Sequence, residues 1–130
     1  MLLKFILPTA VGFTVVADRY VLDFLVWVSL TTEDLDYLNS FEARFFIALV
    51  SKVRFKVYVT ASFEKLLSRK KDGMSSEFLM NQLKLYEKIA SAVNAYTLNT
   101  SFKSLDESLI EVLNLLESHR KILITEIRRN

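Results

Sequence analysis

The sequence predicts an α/β domain, with a short parallel sheet of about three strands and helices on both faces. Three observations predict it. Short apolar or alternating runs at 13–17, 54–60 and 95–98 are separated by segments whose apolar residues recur at helical spacing. Strands interleaved with helices imply right-handed crossovers and a parallel sheet. Two glycines and one proline exclude most all-β architectures, which need turn residues in quantity. Finally, 130 residues of which 52% are apolar suffice for one packed domain spanning 1–130 and leave no room for a second.

Taken in order, Phe13-Thr14-Val15-Val16-Ala17 follows Gly12 as a β-branched run suited to a strand buried on both faces. It ends at Asp18-Arg19-Tyr20, where charge appears abruptly. Residues 20 to about 31 read as a helix with Val21, Phe24, Leu25 and Val28 on one face. The polar turn Thr31-Thr32-Glu33-Asp34 stops it. Ser40 is placed to cap a helix carrying Phe41, Phe45, Ala48 and Leu49 at helical spacing. In Arg54–Thr60, Phe55, Val57 and Val59 alternate with Lys56 and Tyr58, the pattern of a second strand.

Ser62 then caps a short amphipathic helix with Phe63, Leu66 and Leu67, ending in Arg69-Lys70-Lys71-Asp72-Gly73. A longer helix runs from Ser75 to about Ala92 and buries Phe78, Leu79, Leu83, Tyr86, Ile89 and Ala90. Ala95–Leu98 is a short third strand. The last helix starts at Ser104, where Ser104-Leu105-Asp106-Glu107 matches a capping box. Its apolar stripe is Leu105, Leu109, Val112, Leu113, Leu116, Ile122 and Leu123. Trp27 and the phenylalanines read as core.

Charge is nearly balanced, 17 Lys+Arg against 15 Asp+Glu, so composition does not point to a nucleic-acid partner. The absence of cysteine removes disulfides, thiolate zinc sites and Cys nucleophiles. A single histidine, His119, removes His-rich metal centres; beside Arg120 and Lys121 it reads as exposed and without a role. No metal-ligand cluster is expected. The apolar stretch 1–16, with Lys4 near its start and Ala17 in an A-x-A-like spacing, has the outline of a secretory leader, but Pro8 and Gly12 interrupt it. Neither it nor the run at 20–30 reaches the roughly 20 apolar residues that a membrane span needs, so no membrane association and a cytoplasmic location are expected.

Three constellations are placed for chemistry. The first is Asp18-Arg19 at a strand exit, where ligands of open α/β sheets sit. Arg19 there suits phosphate oxygens, with Asp18 orienting it or a metal-bound water. The same pair also reads as an N-cap and a surface ion pair. The second is Arg69-Lys70-Lys71 before Gly73, which suits either a lid over a polyphosphate or a solvated helix C-terminus favoured by the macrodipole. The third is Asn99-Thr100-Ser101-Phe102-Lys103, either a loop along a purine ring or a plain link into the capped helix.

In this order the segments resemble the thymidylate kinase family. GFTVVADRYVLD resembles its strand and Asp-Arg-Tyr motif, and VYVTASFEKLLSRKKDG its next strand, helix and Arg-bearing lid. SSEFLMNQLKLYEKIA is similar to the lid-to-helix segment. AYTLNTSFKSLDESLIEVLNLL is similar to the terminal strand, adenine loop and capped helix. The resemblance spans about residues 2–117 and implies a partial P-loop-kinase-like three-layer fold, the carboxyl-terminal half of such an enzyme.

It also implies transfer of the γ-phosphoryl of ATP-Mg2+ to dTMP, with ATP and Mg2+ as cofactors. Asp18 and Arg19 fall on the family's catalytic Asp-Arg pair. Tyr20, Arg69, Lys70, Lys71, Asn99, Thr100 and Lys103 fall along its nucleotide.

The departure from the family is large. No G-x-x-x-x-G-K-[ST] occurs, and the glycines, Gly12 and Gly73, begin no such loop. Phosphoryl transfer rests on positioning and electrostatics that this loop supplies, so the chain alone is expected not to be a competent kinase. An uncovered sheet edge and apolar helix faces are expected to be covered by a second copy or by a complementing N-terminal polypeptide. The competing expectation is a non-enzymatic helical or α/β interaction protein.

Overall fold

A computed structural model describes residues 16–17, 21–69 and 75–127, with side chains described as far as Lys121. Within them lie five α-helices and a two-stranded parallel sheet. Helix α1 spans Val21–Thr31 and is followed by a 3-10 turn, Tyr37–Asn39. Helix α2 is Phe41–Ser51, strand β1 Val57–Thr60 and helix α3 Phe63–Arg69. Helix α4 covers Ser76–Ala92, strand β2 Tyr96–Asn99 and helix α5 Leu105–Ile127. β1 and β2 pair in register from Val57↔Tyr96 to Thr60↔Asn99, with α3 and α4 forming the crossover.

The helix ends are set by short-range chemistry. Ser40 accepts from the Ala43 amide (3.2 Å) and Ser75 from that of Phe78 (3.1 Å), each satisfying an orphan donor. At Ser104 the capping box closes from both sides: Glu107 N–H donates to Ser104 Oγ (3.2 Å), and Ser104 N–H to the Glu107 carboxylate (2.7 Å). Helix α1 stops where Thr31 and Thr32 turn their hydroxyls back to the carbonyls of Trp27 and Val28 (2.8 Å each), before Glu33 at φ 55. Helix α4 ends in a Schellman turn. Asn94 takes the left-handed position at φ 52, and the amides of Ala95 and Asn94 donate back to Ala90 and Ser91. Lys56 covers the end of α2 by donating to the carbonyls of Ser51 (3.1 Å) and Val53 (2.8 Å).

The core lies where α1, α2 and α4 meet. Leu25, Val26, Leu38, Ala43, Leu85 and Ile89 are buried together, flanked by Leu22, Tyr37, Phe46 and Ile47. Burying Leu25 or Ile89 contributes about 1.5–3 kcal/mol each. Tyr86 ties α4 to α1, its hydroxyl donating to Asp23 Oδ1 at 2.7 Å. Its ring stacks on Tyr58 of β1 at 6.0 Å between centroids. The Phe55 ring bridges Tyr96 and His119, each 5.6 Å away, and so links β2 to α5.

Several expectations are corrected. The described sheet has two strands; the expected run 13–17 lies outside the described residues except Val16 and Ala17, which are exposed and in no strand. In α1 the inward face is Leu22, Leu25, Val26 and Ser29, so Phe24 is exposed. Trp27 is 60% exposed rather than core, and its ring stacks on Phe24. α1 is apolar almost all round, which removes the contrast that periodicity needs. Phe41 and Phe45 of α2 are likewise exposed, while Ala43 and Val50 are buried. In β1 it is Tyr58 that packs on a helix and Val59 that is exposed. His119 is half-buried against Phe55, not exposed. Most of the α5 stripe, including Leu105, Leu109, Leu113 and Leu116, faces solvent. Among the described residues no helix is long and apolar enough to cross a membrane.

Candidate functional site

Parallel strands bring their carboxyl ends to one edge, and the chain leaves β1 and β2 there side by side. Thr60-Ala61-Ser62 lead into α3, and Thr100 to Ser104 into α5. The two exits are clasped. The Thr100 amide (2.8 Å) and hydroxyl (3.0 Å) both donate to the Thr60 carbonyl, which extends the ladder one step. Ser101 is 4% exposed, and its hydroxyl accepts from the Ser62 amide at 2.6 Å while donating to Asn99 Oδ1 at 2.6 Å. Asn99 Oδ1 also accepts from the Ser101 amide at 2.9 Å, forming an Asx turn. These bonds tie the two exits to each other.

Two cations border the clasp. Arg69, at the end of α3, donates a long bond from Nη2 to the Thr100 carbonyl at 3.5 Å. That bond is weak, so the guanidinium keeps most of its donors for another acceptor. Lys103 is paired with Glu111 of α5. Phe102, next to Lys103 in sequence, stands 97% exposed, an aromatic face open to solvent. Glu107 remains with its capping partner. The Ser104 amide and then the Ser104 hydroxyl donate to its carboxylate and hold its pKa below the usual value.

Of the residues singled out in the sequence, Arg69, Asn99, Thr100 and Lys103 come together at this edge. Asn99 does so as an internal brace, its Oδ1 committed to Ser101. Asp18, Arg19, Tyr20, Lys70 and Lys71 lie outside the described residues. Sequence reasoning placed Ser62 as an N-cap and Ser101 in the loop after the last strand, and missed the contact between them, which links residues 39 apart. A serine following a strand carries no signal of its own. Phe102, named within that loop but read as core with the other phenylalanines, is exposed, and an aromatic between Ser101 and Lys103 in a polar loop is a readable anomaly.

Mg2+ does not fit the described part of this edge. Glu107 and Glu111 are committed to Ser104 and Lys103, and no group of three carboxylate, His or Cys ligands forms among the described residues. Of two open hollows, the first lies away from this edge and the second begins beside it at Glu107. One, of about 700 Å³, runs between α2 and α4 past Arg44, Ile47 and Lys88. The other, of about 370 Å³, lies along α5 at Ile110, Glu111 and Asn114. Tyr58, behind the sheet, has its phenol pKa raised by burial, with Glu87 adding to the shift and the Thr60 hydroxyl opposing it.

What the geometry defines is a small α/β unit with a clasped, cation-bordered edge at the carboxyl ends of parallel strands. No family model, curated protein or solved structure matches this chain.

Proposed function

We propose that the chain is a nucleotide-binding module of thymidylate-kinase-like type, which holds a nucleotide at the carboxyl edge of β1 and β2 and does not transfer phosphoryl groups by itself. The observation that carries this reading is Arg69 bonded to the Thr100 carbonyl at the clasped exits, in the loop that two residues later exposes the ring of Phe102. A guanidinium that forks onto phosphate oxygens, next to a ring face that accepts a base, is the minimum a nucleotide requires. The site lies where ligands of parallel sheets bind. The finer architecture belongs to the same proposal: a three-layer, P-loop-kinase-like fold in which Asp18-Arg19 face the phosphates. ATP is the nucleotide that the resemblance favours as donor, and dTMP as acceptor. Catalysis is left out because the sequence has no phosphate-cradling G-x-x-x-x-G-K-[ST] loop.

The test is a thermal-shift titration with ATP, dTMP and dTDP, run beside an ADP-release assay. A nucleotide-dependent rise in Tm with no turnover supports the proposal. No shift with any nucleotide contradicts it and favours the second reading, a non-enzymatic interaction protein. That reading has its own observation, the solvent-facing apolar arc of α5.

A further inference from the structure

Helix α5 carries more apolar surface than the rest of the chain covers. At about 3.6 residues per turn, Ser108, Val112, Leu115 and His119 share one arc. Together with Glu111, these are its buried or half-buried positions as far as Lys121. The adjoining arc, about 80° wide on the same geometry, holds Leu105, Leu109, Leu113 and Leu116. All four face solvent, Leu105 at 84% and Leu113 at 50% exposure. A surface helix ordinarily buries one such stripe; α5 buries one and leaves a second open. In sequence the phase of Leu109 and Leu116 continues seven residues on at Leu123.

We propose that the open arc is covered by the same arc of a second copy, with the two α5 helices antiparallel about a two-fold axis at Leu113. The charges bordering the arc select this occupant. Asp106 lies seven residues before Leu113 and Arg120 seven after it, each two turns away and in the same phase. Both are exposed, and neither forms an ion pair among the described residues. An antiparallel pair centred on Leu113 sets Asp106 of each copy against Arg120 of the other, twice by symmetry.

Asp106, Glu107 and Glu111 make the first half of the helix acidic, while Glu117, Arg120, Lys121 and Glu126 leave its second half balanced. A parallel pair would set like against like along its whole length, which disfavours it. The arrangement is isologous, so it closes at two copies. It is independent of any nucleotide.

Sedimentation equilibrium of the full chain tests this. A reversible dimer is expected. Asp106→Arg or Arg120→Asp alone turns two attractive contacts into two repulsive ones and weakens the dimer by about tenfold or more. The double reversal restores the wild-type Kd. Both positions are exposed, so circular dichroism is expected to stay unchanged in all three variants. The chain has no native cysteine, so Leu113→Cys can form a disulfide only between copies. Mild oxidation is expected to trap it as a dimer, because facing positions at a two-fold meet the short Cα separation that a disulfide needs. Asn114→Cys, on another face of α5, stays monomeric on a non-reducing gel. A chain that remains a monomer up to about 100 µM overturns the proposal. So does a dimer that both single reversals leave intact, or a double reversal that fails to restore it.

Discussion

Replacing Ser101 by alanine tests the clasp at its centre. The substitution removes one oxygen from a nearly inaccessible position, and with it the acceptor of the Ser62 amide and one of the two donors to Asn99 Oδ1. Asn99 keeps the Ser101 amide, so its loss is small. The Ser62 amide is partly buried and loses its acceptor outright. A buried donor stripped of its partner costs about 1–3 kcal/mol, so a destabilisation of about 2 kcal/mol is expected. Urea unfolding of a small domain has a slope of about 1–3 kcal/mol/M, which places the midpoint about 1 M lower with the slope unchanged. Hydrogen exchange gives the local reading: the Ser62 amide should lose its protection while the amide of Ile89, in the helical core, follows only the global change. An unchanged midpoint together with a protected Ser62 amide would refute the reasoning, because it would mean that the strand exits are held by something other than this hydroxyl.

Other predictions follow from the same geometry. Arg69→Ala should weaken nucleotide binding by about tenfold, as expected for the loss of a charge-assisted contact, and leave the urea midpoint nearly unchanged; isothermal titration alongside urea melts separates the two effects. Tyr86→Phe removes the 2.7 Å bond to Asp23 that joins α4 to α1, and should cost about 1–2 kcal/mol in chemical denaturation. Burial raises the Tyr58 phenol above its ordinary 10.0 in the folded chain. Its contribution to stability is therefore complete below that value and lost as pH climbs through the higher folded pKa, so Tyr58→Phe should flatten the alkaline limb of a Tm-against-pH curve. Glu107 behaves in the opposite sense. Its folded pKa is lowered by Ser104, so its contribution is present above the ordinary carboxylate range and lost as pH falls through the lowered value. Ser104→Ala should return the Glu107 titration, followed by NMR, towards its ordinary position.

Much of the chain's punctuation was legible because it is local. Ser40, Ser75 and Ser104 precede their helices with a hydroxyl at the one position where it meets an orphan amide, and each does so in the structure. The strands at 57–60 and 96–99 fall within or one residue beyond the runs that predicted them. The facing of the elements was less legible. Phe24 and Trp27 of α1 are as apolar as Leu25 and Val26, so hydropathy carries no phase there, and the side chains that fit between α2 and α4 decide it. In α5 two apolar arcs lie side by side, and nothing local says which one the rest of the chain covers.

At the candidate site, Asn99 and Thr100 were legible from their place at a strand's exit, since parallel strands bring their exits together, and Arg69 from the basic run that ends the helix after the second predicted strand. Their division of labour was not. Asn99 braces the loop through Ser101 and leaves Arg69 and Phe102 facing outward, and that outcome depends on a contact between residues distant in sequence.

The most direct test of the account is an amide NMR titration of the full chain with ATP and then with dTMP. The account predicts saturable shifts concentrated at Ser62, Arg69 and Thr100 to Lys103, with the amides along α2 and the outer face of α5 unmoved. Shifts confined to the hollow between α2 and α4, or none at the strand exits up to about 10 mM nucleotide, would contradict it.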